Sequence, residues 1–423
     1  MNQRARIVDQ GRDEGRAPRE WIGAAEATKL LGVKRETLYA YASRGLVCSA
    51  AGAGPRERVY NRADVDRLRA RSRARAGHGA VAASALRWGE PVLETSVGAI
   101  TPQGPAYRGR PAVELARQGA SFESVCALLW GASAAPDAAL ARRLGVPVAS
   151  LRALLRAGAE PFDGLLLAAG ALAAADQVAE PSLDVARARA PALVRRLVAA
   201  CGLVEGADAV TASLEAEGAA RALLVALGGR TTAPAVAAMN EALIVVADHE
   251  LNPSTFAARV AASAGSSLPA CMLAALAALC GPLHGGVTAH IEALVAEVER
   301  PERGAAVVGE RLLQGGSVPG FGHPLYRDGD PRGARLLEAA LRLGSKSRAV
   351  RVLVSVIDAM ALVARERPTV DVGLVALSAA LGLPRGAPLA IFACGRAAGW
   401  IAHALEQRAA GFVLRPRARY VGA

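Results

Sequence analysis

Helical periodicity constrains the fold of this chain more than any other feature, because from Ala112 onward nearly every segment repeats its apolar residues at helical spacing. Hydrophobic residues make up 52% of the 423 residues, whereas aromatic residues make up only 4%. This abundance of Ala and Leu favours closely packed helices over a β-sandwich. The length is sufficient for a large buried core and two or three domains. We therefore predict a mainly helical protein.

Two apolar stretches need separate interpretations. Residues 88–104 alternate enough, for example at Val97 and Ile100, to predict a short β element near the start of the helical region. The longest apolar run, 268–280, is too short to span a bilayer and predicts a buried core helix. No membrane partner is therefore expected.

The cysteines and the N-terminus indicate the compartment. Six cysteines, at positions 48, 126, 201, 271, 280 and 394, show neither paired spacing nor a metal-binding pattern. They predict reduced thiols in a cytoplasmic protein without a bound metal. The N-terminus is polar and charged, unlike a secretory signal peptide.

The first 79 residues form a distinct, strongly basic region. They contain 17 basic and 9 acidic side chains, a net charge of +8, whereas the remaining 344 contain 33 and 29, a net charge of +4. Residues 1–19 are polar and predict a disordered N-terminus. Residues 76–85 are mostly small and predict a linker to a second domain over 86–423.

Residues 20–75 have the pattern of a helix-turn-helix domain. The pattern predicts, in order, a short helix over 21–31, a tight turn at Gly32-Val33, a second helix over 34–44, a small wing over 49–60 and a third, very basic helix over 63–75. This region resembles the MerR or excisionase type of winged helix-turn-helix.

DNA is the partner that such a domain implies. The candidate contact residues lie in the second helix and the wing: Lys34, Arg35, Thr37, Tyr41, Arg44, Arg56 and Arg58. The alternative is a small fold retained for dimerisation or docking, with its arginines reflecting composition. Charge by itself reports only non-specific attraction.

Three short stretches in the helical region contain acid–base side chains. They are Gly281–Gly286, which contains His284, Gly320–His323, and the pair Val370-Asp371. A neutral imidazole can donate a hydrogen bond to a carbonyl oxygen as it becomes an enolate, while an ionised carboxylate removes the α-proton. These residue types predict acid–base chemistry at a carbon next to a carbonyl group.

His284 directly precedes a helical apolar repeat that runs from Val287 to Val298. It is therefore predicted to lie at a helix N-terminus, where the partial positive charge disfavours imidazolium and keeps the ring neutral. The alternative is a core histidine beside a Gly-Pro turn, and that simpler interpretation is adopted for His290.

Residues 84–420 resemble the citrate synthase family. The matching blocks, in the family's order and with similar spacing, are Tyr107-Arg108-Gly109, Asp248–Asn252, Gly281–Gly286, Gly320–Arg332, Val370-Asp371, Gly395–His403 and Arg415–Arg417. Each block alone is weak evidence, but together they are very specific. The resemblance implies a mainly helical two-domain enzyme, with a small subdomain over about 288–368, that closes over its substrates as a homodimer.

The resemblance also implies a role for each matching residue. His284 would polarise the thioester carbonyl of the co-substrate acetyl-CoA, Asp371 would remove a methyl proton, and His323 would hydrogen-bond the ketone oxygen of oxaloacetate. Hydrolysis of citryl-CoA would give citrate and CoA, a reaction of the tricarboxylic acid cycle, without a tightly bound cofactor. The further oxaloacetate ligands would be His249, Arg332, Arg396 and, from the partner subunit, Arg415.

Arginine needs a separate argument because the chain contains 47 arginines and only three lysines, which indicates biased composition. Arg396 is an exception, since its neighbours from Gly395 to Ala402 are small or apolar and predict burial. A buried guanidinium requires an anionic ligand or an internal carboxylate. Arg332, in Asp-Pro-Arg, also fits an ordinary exposed turn.

The chain has neither a Walker A loop nor a dinucleotide fingerprint. Residues 315–322 instead form a loop with little side-chain bulk, which lets backbone amides approach a ligand. The resemblance implies that Val318, Gly320 and Gly322 bind CoA and that Arg327 contacts its phosphates.

Two departures from the family's commonest pattern leave the substrate open. Pro324-Leu325 follows His323 where many members have Arg-Val, and Val372 follows Asp371 where an aromatic residue is usual. The His-Pro form resembles citryl-CoA-cleaving relatives and citrate synthase-like proteins fused to helix-turn-helix domains. The alternatives are a 2-methylcitrate synthase using propionyl-CoA, a citryl-CoA lyase-like activity, and a DNA-binding regulator whose catalytic-like domain senses CoA thioesters or citrate. The presence of His284 and Asp371 favours an enzyme over a sensor.

Overall fold

The computed structural model describes residues 21–43, 46–51, 58–62, 64–66, 68, 93–132, 142–176, 179–416, 420 and 422. The chain divides into two compact units, Met1–Glu94 and Thr95–Ala423. The predictions of a disordered N-terminus over 1–19 and a linker over 76–85 concern residues outside these described ranges.

The N-terminal unit combines a small sheet with short helices. Its elements are β1 (Trp21–Gly23), α1 (Ala24–Leu31), α2 (Arg35–Ser43), β2 (Ser49–Ala51) and β3 (Arg58–Asn61). The strands form an antiparallel sheet in the order β1-β3-β2. Ile22, Leu38, Tyr60 and Val65 pack in one small hydrophobic core between the sheet and the helices.

The first helix begins later than predicted. The segment 21–23 is a strand, and Ile22 lies opposite Tyr60 of β3. This long-range pairing overrides the local helical pattern, as often happens in short segments. The predicted wing corresponds to β2 and β3, whereas the residues between these strands, 52–57, lie outside the described ranges. Of the predicted third helix, residues 64–66 and 68 are helical, and 69–75 are likewise not described.

The larger unit is mainly helical, as predicted. It opens with an antiparallel sheet of β4 (Gly98–Thr101), β5 (Gly104–Tyr107) and β6 (Arg110–Pro111), which includes the predicted β element. The helices follow in chain order: α3 (Ala112–Arg117), α4 (Phe122–Trp130), α5 (Val148–Ala153), α6 (Pro161–Ala175), α7 (Leu183–Ala200), α8 (Ala207–Glu215), α9 (Gly218–Ala226), α10 (Ala233–Val245), α11 (Pro253–Ser263), α12 (Leu268–Leu279), α13 (Val287–Val298), α14 (Gly304–Leu313), α15 (Pro331–Gly344), α16 (Arg348–Val363), α17 (Val370–Leu381) and α18 (Ala387–Ala410).

Helix α18 is the central core helix of this unit. Within the described part of the chain it is the one helix long and apolar enough to cross a membrane, but 94% of its apolar window is buried inside the protein. Trp400, near its middle, has no exposed surface. Burial of such a large side chain contributes roughly 1.5–3 kcal/mol or more to folding. The predicted core helix over 268–280 is α12, and its residues Met272 and Leu276 are likewise buried.

A second hydrophobic core lies apart from the main one. It contains residues of α13, α14 and α16, including Leu294, Val308 and Val356. Val318, from the loop 315–322, packs with them. These residues fall within the predicted small subdomain over 288–368. The subdomain's boundaries stay a prediction.

Two helix starts that carry polar site residues are fixed by capping. Asn252 caps α11, because its Oδ1 accepts a hydrogen bond from the Thr255 N–H at 3.0 Å. Asp330 caps α15, because its Oδ1 accepts from the Arg332 N–H at 3.0 Å. In both cases proline follows the cap, and its missing N–H costs nothing at the first helical position.

Candidate active site

Helix α18 holds the segment 246–250 against its buried face. The Arg396 Nε donates to the Val246 carbonyl oxygen at 2.6 Å, and the Gly399 N–H donates to the Ala247 carbonyl oxygen at 2.9 Å. A Cβ at position 399 would overlap that same carbonyl oxygen, so only glycine permits so close an approach. The segment is therefore fixed residue by residue.

His249 lies in this segment, next to a strained residue. Glu250 has a φ of +53°, a left-handed conformation that is unfavourable for a residue with a side chain. The His249 Nε2 lies 2.9 Å from the Tyr326 hydroxyl oxygen. Burial, and then the positive charges of Arg332 and Arg396, hold the pKa of His249 well below its usual value. The ring is therefore neutral at pH 7.

The loop that carries His323 is pinned to the residues before α17. The Thr369 N–H donates to the Gly320 carbonyl oxygen at 2.8 Å, and the Gly322 N–H donates to the Arg367 carbonyl oxygen at 3.1 Å. Gly320 has a φ of +86°, and a Cβ there would lie 2.6 Å from the Val372 side chain. Glycine is required on both counts, and the pairing brings the loop beside Asp371.

His323 has a defined tautomer. Its Nδ1 accepts a hydrogen bond from the Leu325 N–H at 3.1 Å, so the ring proton of the neutral form lies on Nε2. Burial, and then the charge of Arg332, lower the pKa of His323. Its ring centroid lies 5.8 Å from that of His249 and 4.7 Å from that of Tyr326. The Nε2–H is thus available as a donor beside a second neutral imidazole.

Arg332 is buried and paired, in contrast to the exposed turn considered from its sequence context. Its Nε and Nη2 donate to the two carboxylate oxygens of Asp330 at 2.9 Å and 2.7 Å. Burial alone would raise the pKa of Asp330, but the charge and hydrogen bonds of Arg332 lower it. Asp330 Oδ2 also accepts from the Val370 N–H at 3.1 Å. Asp330 therefore joins the start of α15 to the start of α17.

Asp371 follows that junction in the first turn of α17. Its Oδ2 accepts a hydrogen bond from the Thr369 hydroxyl at 3.0 Å, and the residue is partly exposed. Burial raises the pKa of Asp371, although the Thr369 hydrogen bond and the charge of Arg332 act in the opposite direction. A carboxylate with a raised pKa is a stronger base in its ionised form.

His284 lies in the turn that precedes α13, three residues before the helix begins at Val287. Its Nε2 lies 2.9 Å from the hydroxyl oxygen of Ser254, which also accepts from the Trp400 Nε1 at 3.2 Å. Burial, and then the charge of Arg396, lower the pKa of His284 to about 4. The ring is neutral, as the sequence predicted, but burial and a nearby cation account for it rather than a helix N-terminus.

Arg396 is buried without an ion pair. Its exposed fraction is 1%, and among the described residues no carboxylate oxygen lies within 4.0 Å of its guanidinium. The guanidinium carbon lies 4.5 Å from the ring centroid of Phe392, whose ring in turn meets the edge of His284. Burial lowers the pKa of Arg396 to about 10. The charge of Asp248 offsets this effect only in part, and a buried cation without a paired carboxylate is costly unless an anionic ligand binds it.

The remaining predicted ligands occupy different environments. Val318 is buried, whereas Gly322 and Arg327 are exposed. Arg415 is exposed on the C-terminal segment, and no contact described for it joins it to this cluster. The roles of these residues stay predictions. Within the described ranges, no group of three or more His, Cys, Asp or Glu side chains could hold a metal ion.

The candidate DNA-contact residues also differ in their exposure to solvent. Lys34, Arg35 and Arg58 are exposed, and Thr37 is partly buried. Tyr41 packs against the small core, and Tyr39, which is 47% exposed, is the tyrosine that α2 presents to solvent. Arg44 and Arg56 lie outside the described residues.

Sequence reasoning missed three polar partners of this cluster: Asp330, Tyr326 and Ser254. Asp330 stands directly before a proline and a helical repeat, which is a helix-start signal that could have identified it as a cap. The contacts of Tyr326 with His249 and of Ser254 with His284 join residues far apart in the chain, and no local pattern indicates them.

The comparison with protein families is decisive. The model of the family described as citrate synthase, C-terminal domain, matches residues 85–417. The chain belongs to the citrate synthase family. A second model, that of the MerR HTH family of regulatory proteins, matches residues 24–79. Both resemblances, the mainly helical fold and the prediction of a citrate synthase-like condensing enzyme are confirmed.

Individual members of the citrate synthase family show the same relationship. Citrate synthase 2 of Bacillus subtilis is 32% identical over 323 residues, which cover 72% of this chain and 87% of that protein. The 2-methylcitrate synthase of Mycobacterium tuberculosis is 30% identical over 353 residues, covering 78% and 88%. The citrate synthase of Thermoplasma acidophilum, solved in ternary complex with carboxymethyl coenzyme A and oxaloacetate, aligns with a TM-score of 0.70 at 26% identity, covering 79% of this chain and 94% of that one.

Proposed function

We propose that this protein condenses acetyl-CoA with oxaloacetate in the cytoplasm and releases citrate and CoA. The observation that supports this most strongly is the composition of the cluster. The cluster contains two buried guanidiniums, three neutral imidazoles and a partly exposed carboxylate, and among the described residues no carboxylate oxygen lies within 4.0 Å of the Arg396 guanidinium. Such a site is complementary to a small dianion that reacts with a carbon acid.

Oxaloacetate would bind through its two carboxylates. Arg396 uses its Nε for the Val246 carbonyl, which leaves its two terminal nitrogens for a carboxylate of the substrate. Arg332 is held in a fork by Asp330 through Nε and Nη2, so Nη1 is its contribution. His249 would supply a further hydrogen bond to the same substrate.

Enolisation of acetyl-CoA would use His284 and Asp371. A neutral His284 donates a hydrogen bond to the thioester oxygen while Asp371 removes a methyl proton. The Ser254 hydroxyl has one proton and two acceptors within reach, Asn252 Oδ1 at 2.8 Å and His284 Nε2 at 2.9 Å. When Ser254 donates to His284 Nε2, the imidazole proton lies on Nδ1 and faces the thioester.

Carbon–carbon bond formation would follow at the oxaloacetate ketone. The enolate carbon attacks the ketone carbon, and the ketone oxygen takes the electron pair together with the Nε2 proton of His323. The hydrogen bond that His323 Nδ1 accepts from the Leu325 N–H implies that the proton of the neutral ring lies at that nitrogen, Nε2. Water then cleaves the thioester of citryl-CoA, so that a thiol is released for each citrate formed.

The replacement Asp371→Asn tests this assignment, because it keeps the shape of the side chain and removes the base. We expect kcat for CoA release to fall by about 10²–10⁴-fold, the usual contribution of a general base. Oxaloacetate affinity, measured by calorimetry, should stay near that of the unmodified protein. Asp328→Asn is the matched control, because Asp328 is an exposed acid that follows shortly after His323 in the chain. Near-normal turnover in Asp371→Asn contradicts the proposed role.

Acetyl-CoA is the acyl donor in this proposal, and propionyl-CoA is the alternative donor. Comparing kcat/KM for the two thioesters decides between citrate and 2-methylcitrate formation. Oxaloacetate production from citryl-CoA that outpaces condensation would instead support a lyase-like activity. Tight CoA-thioester binding without any thiol release would support a sensor.

A homodimer with shared active sites is part of this proposal, with Arg415 entering the site of the partner subunit. Mixing inactive Arg415→Leu and Asp371→Asn subunits tests it by complementation. In a mixed dimer, one site has its own Asp371 and receives an intact Arg415 from the other subunit. Restored thiol release supports sharing, and activity no higher than that of either variant alone excludes it.

DNA binding by the N-terminal unit is a second proposal, supported by the match to the MerR HTH family and by the exposure of Lys34 and Arg35 at the start of α2. Fluorescence anisotropy of the full chain with random-sequence duplex DNA, over a series of salt concentrations, measures it. The double replacement of Lys34 and Arg35 by Ala should weaken binding and lower the salt dependence. Arg110→Ala, an exposed arginine of the larger unit, is the control. Absence of binding at low salt contradicts the proposal.

A further inference from the structure

Helix α11 carries a buried charged network that the proposed reaction does not use. Its first turn contains Ser254, which contacts His284, and its later turns contain Arg259 and Ser263. We propose that Arg259 is a positioning residue that holds both the segment 246–250 and the C-terminal segment after α18. The inference rests on the proposed function, in which these segments supply oxaloacetate ligands.

Arg259 is the hub of the network. It is 2% exposed, and its Nε donates to the Gln407 Oε1 at 3.0 Å. Its Nη1 lies 3.1 Å from the His403 Nδ1 and 2.6 Å from the Glu406 Oε2. Three residues of one turn of α18 thus converge on a single guanidinium, and each leads to a different part of the molecule.

The first arm of the network reaches the segment 246–250. An arginine donates and cannot accept, so His403 Nδ1 is the acceptor and the proton of its neutral ring lies on Nε2. That Nε2–H donates to Asp248 Oδ1 at 3.2 Å, and Asp248 Oδ2 accepts from the Glu250 N–H at 3.2 Å. The Asp248 carboxylate therefore joins His403 to the backbone N–H of Glu250, the left-handed residue that follows His249.

The second arm reaches the C-terminal segment. The Gln407 Nε2 donates to the Phe412 carbonyl oxygen at 3.1 Å. Two residues later the Leu414 N–H donates to the Ser263 hydroxyl oxygen of α11, also at 3.1 Å. Arg415 follows directly, so the segment is fastened to α11 and α18 immediately before the residue proposed to enter the partner's site.

The third arm compensates the charge of the hub. Glu406 Oε1 accepts from the N–H and the hydroxyl of Ser96, at 2.7 Å and 2.9 Å. Although burial opposes ionisation, these bonds and those from Thr95 and Arg259 lower the pKa of Glu406 to about 2. The ion pair stays intact at working pH, so Arg259 is a permanent structural cation. Arg396, in contrast, has no such partner among the described residues.

One residue therefore holds two segments that act on oxaloacetate in different ways. The segment 246–250 serves the site of its own subunit, whereas the segment with Arg415 serves the site of the partner. Loosening either of them lowers the affinity for oxaloacetate more than the rate of the chemical step, since neither contains the base or the proton donors of the proposed reaction.

The experiment compares three apolar replacements in the full-length protein: Arg259→Met, His403→Leu and Gln407→Met. Hydrogen exchange followed by mass spectrometry reports on peptides that cover 246–252 and 411–415. We expect faster exchange in 246–252 alone for His403→Leu, in 411–415 alone for Gln407→Met, and in both for Arg259→Met.

Kinetics supply the second readout. Arg259→Met should raise the KM for oxaloacetate about tenfold, the effect of losing one hydrogen bond to a charged group, with kcat changed much less. His403→Gln is the conservative variant, because the Gln amide can accept from Arg259 and donate to Asp248. In contrast to His403→Leu, it should keep the KM for oxaloacetate and the exchange rate of 246–252 close to those of the unmodified protein.

Clear outcomes overturn the proposal. It is wrong if Arg259→Met affects only one of the two peptides, or if each single-arm variant affects both peptides or neither. Should Arg259→Met destabilise the whole chain, the two single-arm variants still decide. A wild-type protein without oxaloacetate-dependent CoA release would refute the proposed function, while the exchange pattern would still test the network by itself.

Discussion

The start of α15 and the middle of α18 each bury one guanidinium, but the two regions compensate its charge differently. Arg332 forms a two-point ion pair with Asp330, a residue two positions earlier. Arg396 has a carbonyl oxygen and an aromatic ring near it and, among the described residues, no carboxylate within 4.0 Å. The same side chain is therefore held by an internal ion pair in one region, whereas in the other it has no such pair among the described residues.

The pKa values reflect this difference. Burial acts to lower the pKa of both arginines, yet the charge and hydrogen bonds of Asp330 raise that of Arg332, whereas that of Arg396 falls to about 10. A cation that the protein leaves uncompensated is one that a ligand can compensate. The two arginines are buried to a similar depth, so the ion-pair partner rather than the depth of burial accounts for the difference between their pKa values.

The largest expected effect concerns the paired region. Asp330→Leu leaves Arg332 buried and unpaired, and we expect the free energy of unfolding to fall by about 3–5 kcal/mol. Urea unfolding followed by circular dichroism measures it. The double variant with Arg332→Leu should recover much of the loss, because it removes the orphaned charge. A loss below about 1 kcal/mol in the single variant would contradict the distinction between the two regions.

Replacement of Arg396 should affect substrate binding rather than the free energy of unfolding. Arg396→Met removes an uncompensated buried cation, so the free energy of unfolding should stay the same or increase. The KM for oxaloacetate should rise by about 10–100-fold, and Arg396→Lys should lie between, since a point charge cannot make the paired contact. Steady-state kinetics and thermal unfolding on the same samples test both parts. An unchanged KM would contradict a role of Arg396 in oxaloacetate binding.

A smaller effect follows from the field of Arg396 at His284. The pKa of His284 is about 4 in the native protein against 6.5 for a free histidine, so the free energy of unfolding decreases as the pH falls through that interval. The unfolded chain binds a proton there that the native ring does not. Arg396→Met should raise the native pKa, as measured by NMR titration, and should reduce the acid loss of stability. Burial remains the larger cause, so the pKa should stay below 6.5.

The smallest effect concerns Asp371, a carboxylate that the charges of both arginines influence. Thr369→Ala removes the hydroxyl that stabilises its ionised form, so the pKa of Asp371 should rise further. The base must be ionised, and the acid limb of kcat/KM should therefore move to higher pH, by up to about one unit. A limb that moves to lower pH would assign the opposite role to Thr369.

Sequence reasoning succeeded where the cause is local and failed where it is not. The burial of Arg396 follows from its apolar helical neighbours, and the sequence predicted it. The burial of Arg332 depends on Asp330, which in turn accepts a hydrogen bond from the Val370 amide 40 residues after Asp330, so Asp-Pro-Arg also fitted an exposed turn. The neutrality of His284 was predicted, but its main cause is tertiary burial rather than a position at the start of α13.

The N-terminal unit gives the same lesson at the level of secondary structure. Residues 21–23 have a helical pattern when taken alone, but Ile22 pairs with Tyr60 of β3 and becomes part of a strand. Tyr41, a candidate DNA-contact residue, is partly buried and packs against the small core that contains Leu38. A domain with so few apolar residues needs its aromatic side chains to form a core, so fewer of them are left for contacts at the surface.

The spacing of residues along α18 has an evolutionary consequence. Arg396, Gly399 and His403 follow at three- and four-residue intervals and contact three consecutive positions of one strained turn. Inserting or deleting a single amino acid between them would rotate one part of the helix against the other by about 100° and detach at least one contact. This helix can therefore diverge by substitution on its remaining faces, but changes in its length must fall outside 396–403.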